Sequence, residues 1–173
     1  KRGAFFKKEL FSALKILENR HIDSSSLKGS WAGAMGQSQF MPSSYLAYAV
    51  DFNRDNKIDI WRTHSDIFAS IANYLKVHGW KKNEPWTIKF KKNDLDAINL
   101  KKKYTFKELK NNITINTRDK NISDDISTQI KSITSDNLVN NFLVFKNFFI
   151  LKKYNNSDFY ALTVGTLANK LQL

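Results

Sequence analysis

The pattern of apolar and polar residues predicts three helices in the first half of the chain. Apolar residues recur every three or four positions over residues 3–20, with lysines between them, as in an amphipathic helix. Pro42 suits the first turn of a second helix, expected to run to about residue 50. A third helix is expected over residues 65–78, because the glycine that follows is typical of a helix C-terminus.

The pattern changes from residue 84 onward. Apolar residues alternate at Trp86, Ile88 and Phe90, which predicts a strand. Thr105 and Glu108 have the spacing of a capping box, in which two side chains satisfy the free amides that open a helix. A short helix is therefore expected after Thr105.

Two apolar runs lie near the end of the chain, at residues 142–145 and 148–151. They predict two strands that meet at Lys146 and Asn147. A last helix is expected to begin at Ser157, because the apolar period then returns to that of a helix.

These elements predict an α+β protein. A mainly helical core is expected to comprise residues 1–83 together with residues 151–173. A small α/β lobe is expected to be inserted between them at residues 84–150. A chain of 173 residues is long enough to bury a core of this kind.

The net charge of the chain is +12, and it contains no cysteine. Disulfide frameworks and thiolate chemistry are therefore excluded. A basic surface attracts polyanions, so a nucleic-acid-binding domain is one alternative. The lysines occur in short scattered groups, however, and the sequence lacks the motifs of known nucleic-acid docking modes. We favour a lysine-rich surface with no specific nucleic-acid partner.

Residues 51–62 have the spacing of an EF-hand calcium loop. The first, third, fifth and ninth positions bear oxygen donors, and the seventh would offer a backbone carbonyl; these residues are Asp51, Asn53, Asp55, Asp59 and Lys57. Arg62 stands at the twelfth position, where a bidentate acid is usual, so affinity is expected to be weakened. Two alternatives stay open: weak binding of Ca²⁺ or Na⁺, or a loop held by its own Asx hydrogen bonds. No cofactor is expected to be required.

The stretch from Gly29 to Ser44 combines small residues with amides and hydroxyls. Small residues let a ligand or another backbone approach closely, and Gln37, Gln39 and Ser43 supply donors and acceptors. An ordinary core helix is not built in this way, so the stretch is expected to face a ligand.

The amino-acid sequence of this region resembles that of the lytic murein transglycosylases of the B type, which cut the glycan strands of bacterial peptidoglycan. The matching motifs are GSWAGAMG at residues 29–36, QFMPSSY at 39–45, AVDF at 49–52, NYLK and HGW at 73–80, and YNNS followed by YA at 154–161. The resemblance is strong over residues 1–82 and 142–173 and weak between them. It implies a lysozyme-like transglycosylase core.

The resemblance also implies roles for particular residues. Ser30 matches the serine that hydrogen-bonds the catalytic glutamate, and Gln39 matches a glutamine that lines the glycan groove. Tyr74, Tyr154 and Asn155 match aromatic and amide residues around the cleavage site. These residue types suit sugars, which stack on aromatic faces and bind amides. For the tyrosines the alternative is a half-buried position at the edge of the core.

Lytic transglycosylases of this kind protonate the leaving oxygen with one glutamate, which the family carries on a helix well upstream of the glycine-rich motif. None of the four glutamates in this chain follows a matching motif; Glu9 and Glu18 are expected on the solvated face of the first helix. We therefore expect a fragment without the catalytic glutamate.

The family's reaction cleaves the MurNAc–GlcNAc bond and forms 1,6-anhydroMurNAc. In this protein it would require the missing N-terminal part as a partner, with peptidoglycan glycan strands as the substrate. The alternative is a non-catalytic glycan-binding remnant. The expected location is the periplasm, or an association with the outer membrane, of a Gram-negative bacterium.

Overall fold

The chain packs as two compact units, Lys1–Val77 and His78–Leu173. The computed structural model describes residues 2–91, 99–100, 102–111, 113–115, 122–135 and 138–171. Each unit has its own secondary structure and is described by itself.

The first unit contains the three predicted helices. They are α1 (Gly3–Glu18), α2 (Pro42–Tyr48) and α3 (His64–Val77). Helix α1 packs against α2, and α2 packs against α3. The proline at the first position of α2 confirms the predicted start of that helix.

The buried face of α1 differs from the one that its apolar residues suggested. The buried residues of this helix are Glu9 and Ile16. Phe6, Leu10 and Leu14 are instead largely exposed, with 42%, 60% and 52% of their surface in solvent. The helix therefore buries an acid and exposes an apolar stripe.

The second unit is built on a four-stranded antiparallel sheet. Its strands are β1 (Thr87–Phe90), β2 (Lys103–Thr105), β3 (Ser127–Ser135) and β4 (Leu138–Val144). Their spatial order is β1-β4-β3-β2, and Ile130 pairs with Leu143 near its centre. The predicted strand at Trp86–Phe90 is confirmed by β1.

Three helices accompany this sheet: α4 (Phe106–Lys110), α5 (Lys146–Tyr154) and α6 (Asp158–Leu171). The capping box before α4 is confirmed, since Thr105 and Glu108 bond each other's backbone amides. The core lies between the sheet and α4, where the buried residues are Ile88, Phe90, Phe106, Leu109, Ile113, Ile130, Leu143 and Phe145.

The strand predicted over residues 148–151 is wrong, because these residues belong to α5. A short apolar run suits a buried helix as well as a buried strand, so periodicity alone does not separate the two. The Asn147 side chain favours the helical alternative here. It donates to the carbonyls of Lys81 and Glu84 and accepts from the Lys81 amide, which fixes the first turn of α5.

The predicted fold class, α+β, is confirmed by the segregated helices and the antiparallel sheet. The packing of the described residues places the unit boundary after Val77 and groups residues 151–171 with the sheet. The sequence had placed the boundary after residue 83 and assigned residues 151–173 to the helical core. Their association with the first unit stays a prediction. None of the helices described here combines the length and apolar character needed to cross a bilayer.

Candidate functional site

The glycine-rich stretch between α1 and α2 is folded by backbone bridges rather than by regular secondary structure. The Ser30 amide donates to the Ala34 carbonyl at 2.7 Å, and the Ala34 amide donates to the Ser30 hydroxyl oxygen at 3.1 Å. Met35 then pairs with Phe40 through both backbone groups, at 2.7 and 3.1 Å. Ser30 thus lies on a tight exposed turn, and its hydroxyl hydrogen can still be donated.

Trp31 forms the tip of the same turn, and 98% of its surface is exposed. Gly33 in the turn has a φ of +91°, a conformation that glycine adopts without steric cost. The neighbouring side chains therefore do not cover the indole.

Gly36 holds the stretch close to the aspartate loop. Its φ is +60°, and a Cβ placed on it would lie 2.6 Å from the Ile60 carbonyl oxygen. The next amide, that of Gln37, donates to the same oxygen at 2.9 Å. Only glycine allows this approach, and the Gln39 loop is thereby fixed at its N-terminal end.

Gln39 is exposed and lies in the left-handed region, with a φ of +52°. Its side-chain Nε2 donates to the Gly36 carbonyl at 2.9 Å. A residue other than glycine in this conformation persists when its surroundings hold it there. Gln39 is thus presented to solvent by a constrained four-residue turn.

The C-terminal end of this loop is attached to α1 by Glu9, which is 5% exposed. The Ser43 amide donates to its Oε2 at 2.9 Å, and the Ser43 hydroxyl donates to its Oε1 at 2.7 Å. The prediction that Glu9 lies on the solvated face of α1 is wrong. Hydrogen bonds to both oxygens compensate the cost of burying a carboxylate, so Glu9 is tolerated inside the unit.

Tyr74 lies on α3 beside the loop and is 9% exposed. Its ring lies 5.7 Å from the ring of Phe40 and 4.9 Å from that of Tyr48, edge to face in the latter pair. Burial, followed by the neighbouring Tyr48, raises the pKa of the Tyr74 phenol. The Ser30 turn therefore adjoins the Met35–Phe40 pair, and Tyr74 packs against Phe40, the residue after Gln39. That the side chains of Ser30, Gln39 and Tyr74 line one groove stays a prediction.

Tyr154 and Asn155 lie at the end of α5, in the second unit. The Tyr154 ring stacks on Tyr160, with 6.3 Å between centroids and 7° between planes, and Asn155 is exposed. Burial raises the pKa of the Tyr160 phenol. The prediction that this pair lines the same groove as Gln39 joins residues of two units and stays a prediction.

The aspartate loop is held by its own hydrogen bonds. Asp51 accepts from the amides of Arg54, Asp55 and Asn56. Asn56 has a φ of +66°, the left-handed conformation expected at this position. The Asx alternative therefore describes the contacts of the loop.

Asp55 continues the same pattern. A hydrogen bond from the Asn53 side chain, followed by one from the Lys57 amide, holds the pKa of the Asp55 carboxyl below its usual value. Arg62, at the twelfth position, donates to the Ser26 hydroxyl oxygen at 3.3 Å. A guanidinium has no acceptor atom, so Arg62 is not a ligand for a metal ion.

The donor types of this loop suit calcium, but their arrangement does not. Within the described residues, no group of three or more acidic or histidine side chains converges on a point that could hold a metal ion. The carboxylates of Asp51 and Asp55 accept from backbone amides of the loop. A calcium site here would need the side-chain oxygen of Asn53 and the Lys57 carbonyl in addition to carboxylates.

The role of Asp66 was not predicted from the sequence. This residue is fully buried and accepts from the amides of Phe52, at 2.9 Å, and Asp59, at 3.0 Å. It thus joins the two ends of the aspartate loop. Its position after the loop, at the start of a helix, was the signal that could have indicated this role.

Tyr45 also stabilises the aspartate loop, since its hydroxyl donates to the Ile58 carbonyl at 2.6 Å. Burial raises the pKa of the Tyr45 phenol, and the nearby carboxylates of Asp59 and Asp66 raise it further. The phenol consequently stays protonated and remains a donor to the loop.

Comparisons with known proteins place these features in a family. The transglycosylase SLT domain family matches residues 1–169. The chain is 48% identical over 84 residues to the membrane-bound lytic murein transglycosylase B of Escherichia coli K12, a match covering 49% of this chain and 23% of that protein.

Solved structures agree with the sequence match. SltB3 of Pseudomonas aeruginosa, in complex with NAG-anhNAM-pentapeptide, superposes with a TM-score of 0.83 at 34% identity, covering 99% of this chain and 47% of SltB3. The Escherichia coli transglycosylase Slt35, in complex with calcium, superposes with a TM-score of 0.80 at 33% identity, covering 97% of this chain and 53% of Slt35.

The chain spans about half the length of these solved relatives. The predicted resemblance and the predicted transglycosylase-like core are both confirmed by the matches. On the match over residues 1–169 and the agreement in fold, this chain belongs to the lytic transglycosylases of the SLT domain family.

Proposed function

We propose that this chain forms part of the glycan groove of a peptidoglycan lytic transglycosylase. The complete enzyme would cleave the MurNAc–GlcNAc bond and form 1,6-anhydroMurNAc. The observation that supports this proposal is the constrained turn that exposes Gln39. The Ser30 turn precedes it in the chain, and the Tyr74 ring packs against Phe40, which follows it. Relatives add support, since SltB3 of Pseudomonas aeruginosa was solved with NAG-NAM-pentapeptide as well as with the anhydro compound.

The groove residues would act by binding rather than by proton transfer. An amide such as Gln39 both accepts from and donates to sugar hydroxyl and acetamido groups. Tyr154, stacked on Tyr160, would offer an aromatic face to a pyranose ring. Holding the glycan in a fixed orientation can supply a large part of the rate enhancement.

The proton donor would come from outside these 173 residues. Both oxygens of Glu9 are directed at Ser43, and Glu108 is engaged in the capping box of α4. Glu18 and Glu84 are exposed, where a carboxylic acid lacks the burial that suits a general acid. Ser30, with a hydroxyl hydrogen to donate, would support a carboxyl group supplied by a further segment.

Binding and turnover are tested separately. We expect this polypeptide to bind a GlcNAc-anhydroMurNAc disaccharide in isothermal titration, with affinity lost in the double variant Gln39→Ala/Tyr154→Ala. The matched control is Asn19→Ala/Phe159→Ala, which alters an exposed amide-bearing residue and an exposed aromatic residue elsewhere. Equal binding by both double variants would contradict the proposed groove.

Turnover is measured by incubating purified peptidoglycan with this polypeptide alone. We expect no release of anhydro-muropeptides, because no glutamate of the chain is placed to protonate the leaving oxygen. Release of such products would contradict the assignment of the proton donor, although it would support the reaction class.

A glycan-binding remnant without catalysis is the second candidate. It is favoured by the same observation on the glutamates and would use the same groove residues. The discriminating observation is the encoding reading frame. An upstream helix that bears a glutamate supports the enzyme, whereas a frame without one supports the remnant.

We further propose that calcium, if it binds the loop of residues 51–62, binds weakly and is not required. Slt35 was solved in complex with calcium, while Arg62 here replaces the bidentate acid that usually completes such a loop. Isothermal titration of the chain with calcium tests this. Absence of heat at millimolar calcium would rule out calcium binding by the loop, and a micromolar affinity would contradict the proposed weak binding.

For location, we propose the periplasm or the outer membrane of a Gram-negative bacterium. The solved and curated relatives come from Escherichia coli and Pseudomonas aeruginosa, and the proposed substrate is the cell wall. Fractionation of cells that express the full reading frame tests this. Recovery of the protein in the cytoplasmic fraction alone would contradict it.

A further inference from the structure

Glu9 is a buried acid that the proposed chemistry does not use. It is 5% exposed on α1, and its two oxygens accept from the two donors of one residue, Ser43. One side chain of α1 therefore holds both donors of Ser43, and this links α1 to the first turn of α2.

Ser43 connects Glu9 to the loop that bears Gln39. Ser43 is the second residue of α2, whose N-cap is Met41 and whose first residue is Pro42. The loop that bears Gln39 therefore ends only a few residues before Ser43. Glu9 holds the C-terminal end of that loop, while Gly36, against Ile60, holds its N-terminal end.

Gln39 lies between these two supports. Its φ of +52° lies in a region that a residue other than glycine keeps only where its surroundings hold it. Freed from one end, the loop can relax toward ordinary conformations, and Gln39 then leaves its bond to the Gly36 carbonyl.

Glu9 also lines a cavity of about 300 Å³ together with Ser30 and Gly33. Its carboxylate thus contacts Ser43, which follows the Gln39 loop, and borders a cavity that the Ser30 turn lines as well.

We propose that Glu9 is a positioning residue for glycan binding. Its carboxylate fixes Ser43, and through Ser43 it keeps Gln39 in the orientation that meets the sugar. This inference rests on the proposed function, because it assigns Gln39 to the glycan. It assigns no proton transfer to Glu9.

The chemistry of the pair supplies a conservative variant. In Glu9→Gln the amide oxygen can accept from the Ser43 amide, and the Ser43 hydroxyl oxygen can accept from the glutamine Nε2. In Glu9→Ala both contacts are lost. Glu18→Ala, on the exposed side of the same helix, is the matched control.

The experiment uses the full chain labelled with ¹⁵N. The side-chain amide resonances of Gln39 are assigned by their loss in Gln39→Glu and followed in each variant, at a temperature where circular dichroism shows the variant folded. Affinity for the GlcNAc-anhydroMurNAc disaccharide is measured by titration under the same conditions.

We expect Glu9→Ala to move the Gln39 resonances and to weaken binding about tenfold or more, since small misplacements of a binding group cost factors of this order. Glu9→Gln should restore both readouts, and Glu18→Ala should change neither. A folded Glu9→Ala protein with unmoved Gln39 resonances overturns the proposal, even if its melting temperature is lower.

If Glu9→Ala does not fold, Ser43→Ala takes its place. It removes only the hydroxyl contact, and the proposal then requires a smaller shift of the Gln39 resonances; no shift overturns it. Failure of the wild-type chain to bind the disaccharide would count against the proposed function instead. The resonances are measured without ligand and still decide the role of Glu9.

Discussion

The carboxylate of Asp66 accepts a hydrogen bond of 2.9 Å from the Phe52 amide at the start of the aspartate loop. Its second oxygen accepts from the Asp59 amide near the end of the loop. One fully buried side chain of α3 therefore closes the loop on itself. Together with the amides that donate to Asp51, this contact holds the backbone of the loop.

Asp66→Asn should lower the free energy of unfolding by about 2 kcal/mol, because one oxygen is replaced by an NH₂ group that faces a backbone donor. Urea unfolding measures this. Asp23→Asn, an exposed substitution in the segment that follows α1, should leave the urea midpoint nearly unchanged. A folded Asp66→Asn protein with the wild-type midpoint would show that Asp66 does not hold the loop.

Gly36→Ala should destabilise the first unit by about 2 kcal/mol or more. The added methyl group would clash with the Ile60 carbonyl, and alanine would have to adopt the left-handed backbone conformation of Gly36. Gly3→Ala is the control, since a Cβ there meets no atom within 4 Å. It should be neutral or slightly stabilising in a helix. Thermal unfolding compares the two variants, and equal melting temperatures would contradict the predicted clash.

Thr105→Ala should cost about 1 kcal/mol of stability, since it removes the side chain that caps α4. Thr105→Ser keeps an acceptor oxygen at the same place and should recover most of the loss. Equilibrium denaturation of the three proteins tests the capping box. A serine variant as unstable as the alanine variant would assign the effect to the lost methyl group instead.

Asp158 should make the stability of the second unit depend on pH. Burial pushes the pKa of its carboxyl up, but hydrogen bonds from Lys131 and Lys152 outweigh burial and lower it. Because the native pKa lies below the unfolded value of about 3.9, the stabilisation is present above that pH. It is lost as the pH falls through the native pKa.

Wild type should therefore exceed Asp158→Asn by about 1 kcal/mol at neutral pH, and the difference should shrink toward about pH 3. Urea titrations at several pH values measure this. Asp125→Asn, an exposed substitution in the same unit, should show no comparable advantage of wild type at neutral pH. A constant difference for Asp158→Asn across the range would contradict the linkage.

The helices other than α5, and the first strand, could be predicted because their local signals agree with their tertiary contacts. Pro42 opens α2, and Thr105 with Glu108 opens α4. Strand β3 was missed because its nine residues are mostly hydroxyl-bearing or charged, with few apolar positions. Its place is decided by pairing with β4 in the sheet, which no local pattern contains.

The candidate site could be predicted only as far as a motif marks it. Ser30 and Gln39 were selected because they lie in a distinctive stretch, and their roles stay predictions. The burial of Glu9 was missed because its partner Ser43 lies 34 residues later, and lysines precede Glu9 in the sequence. The role of Asp66 was missed because its amide partners lie seven and fourteen residues earlier.

The exposure of Trp31 gives the protein an optical reporter. An indole that stands almost entirely in water, as this one does, fluoresces at longer wavelength than one that is covered. Trp61, Trp80 and Trp86 are partly buried and supply a steadier background. Whatever comes to rest on the turn beside Ser30, whether a sugar or another stretch of polypeptide, should shift the emission toward the blue, and the shift should vanish in Trp31→Phe.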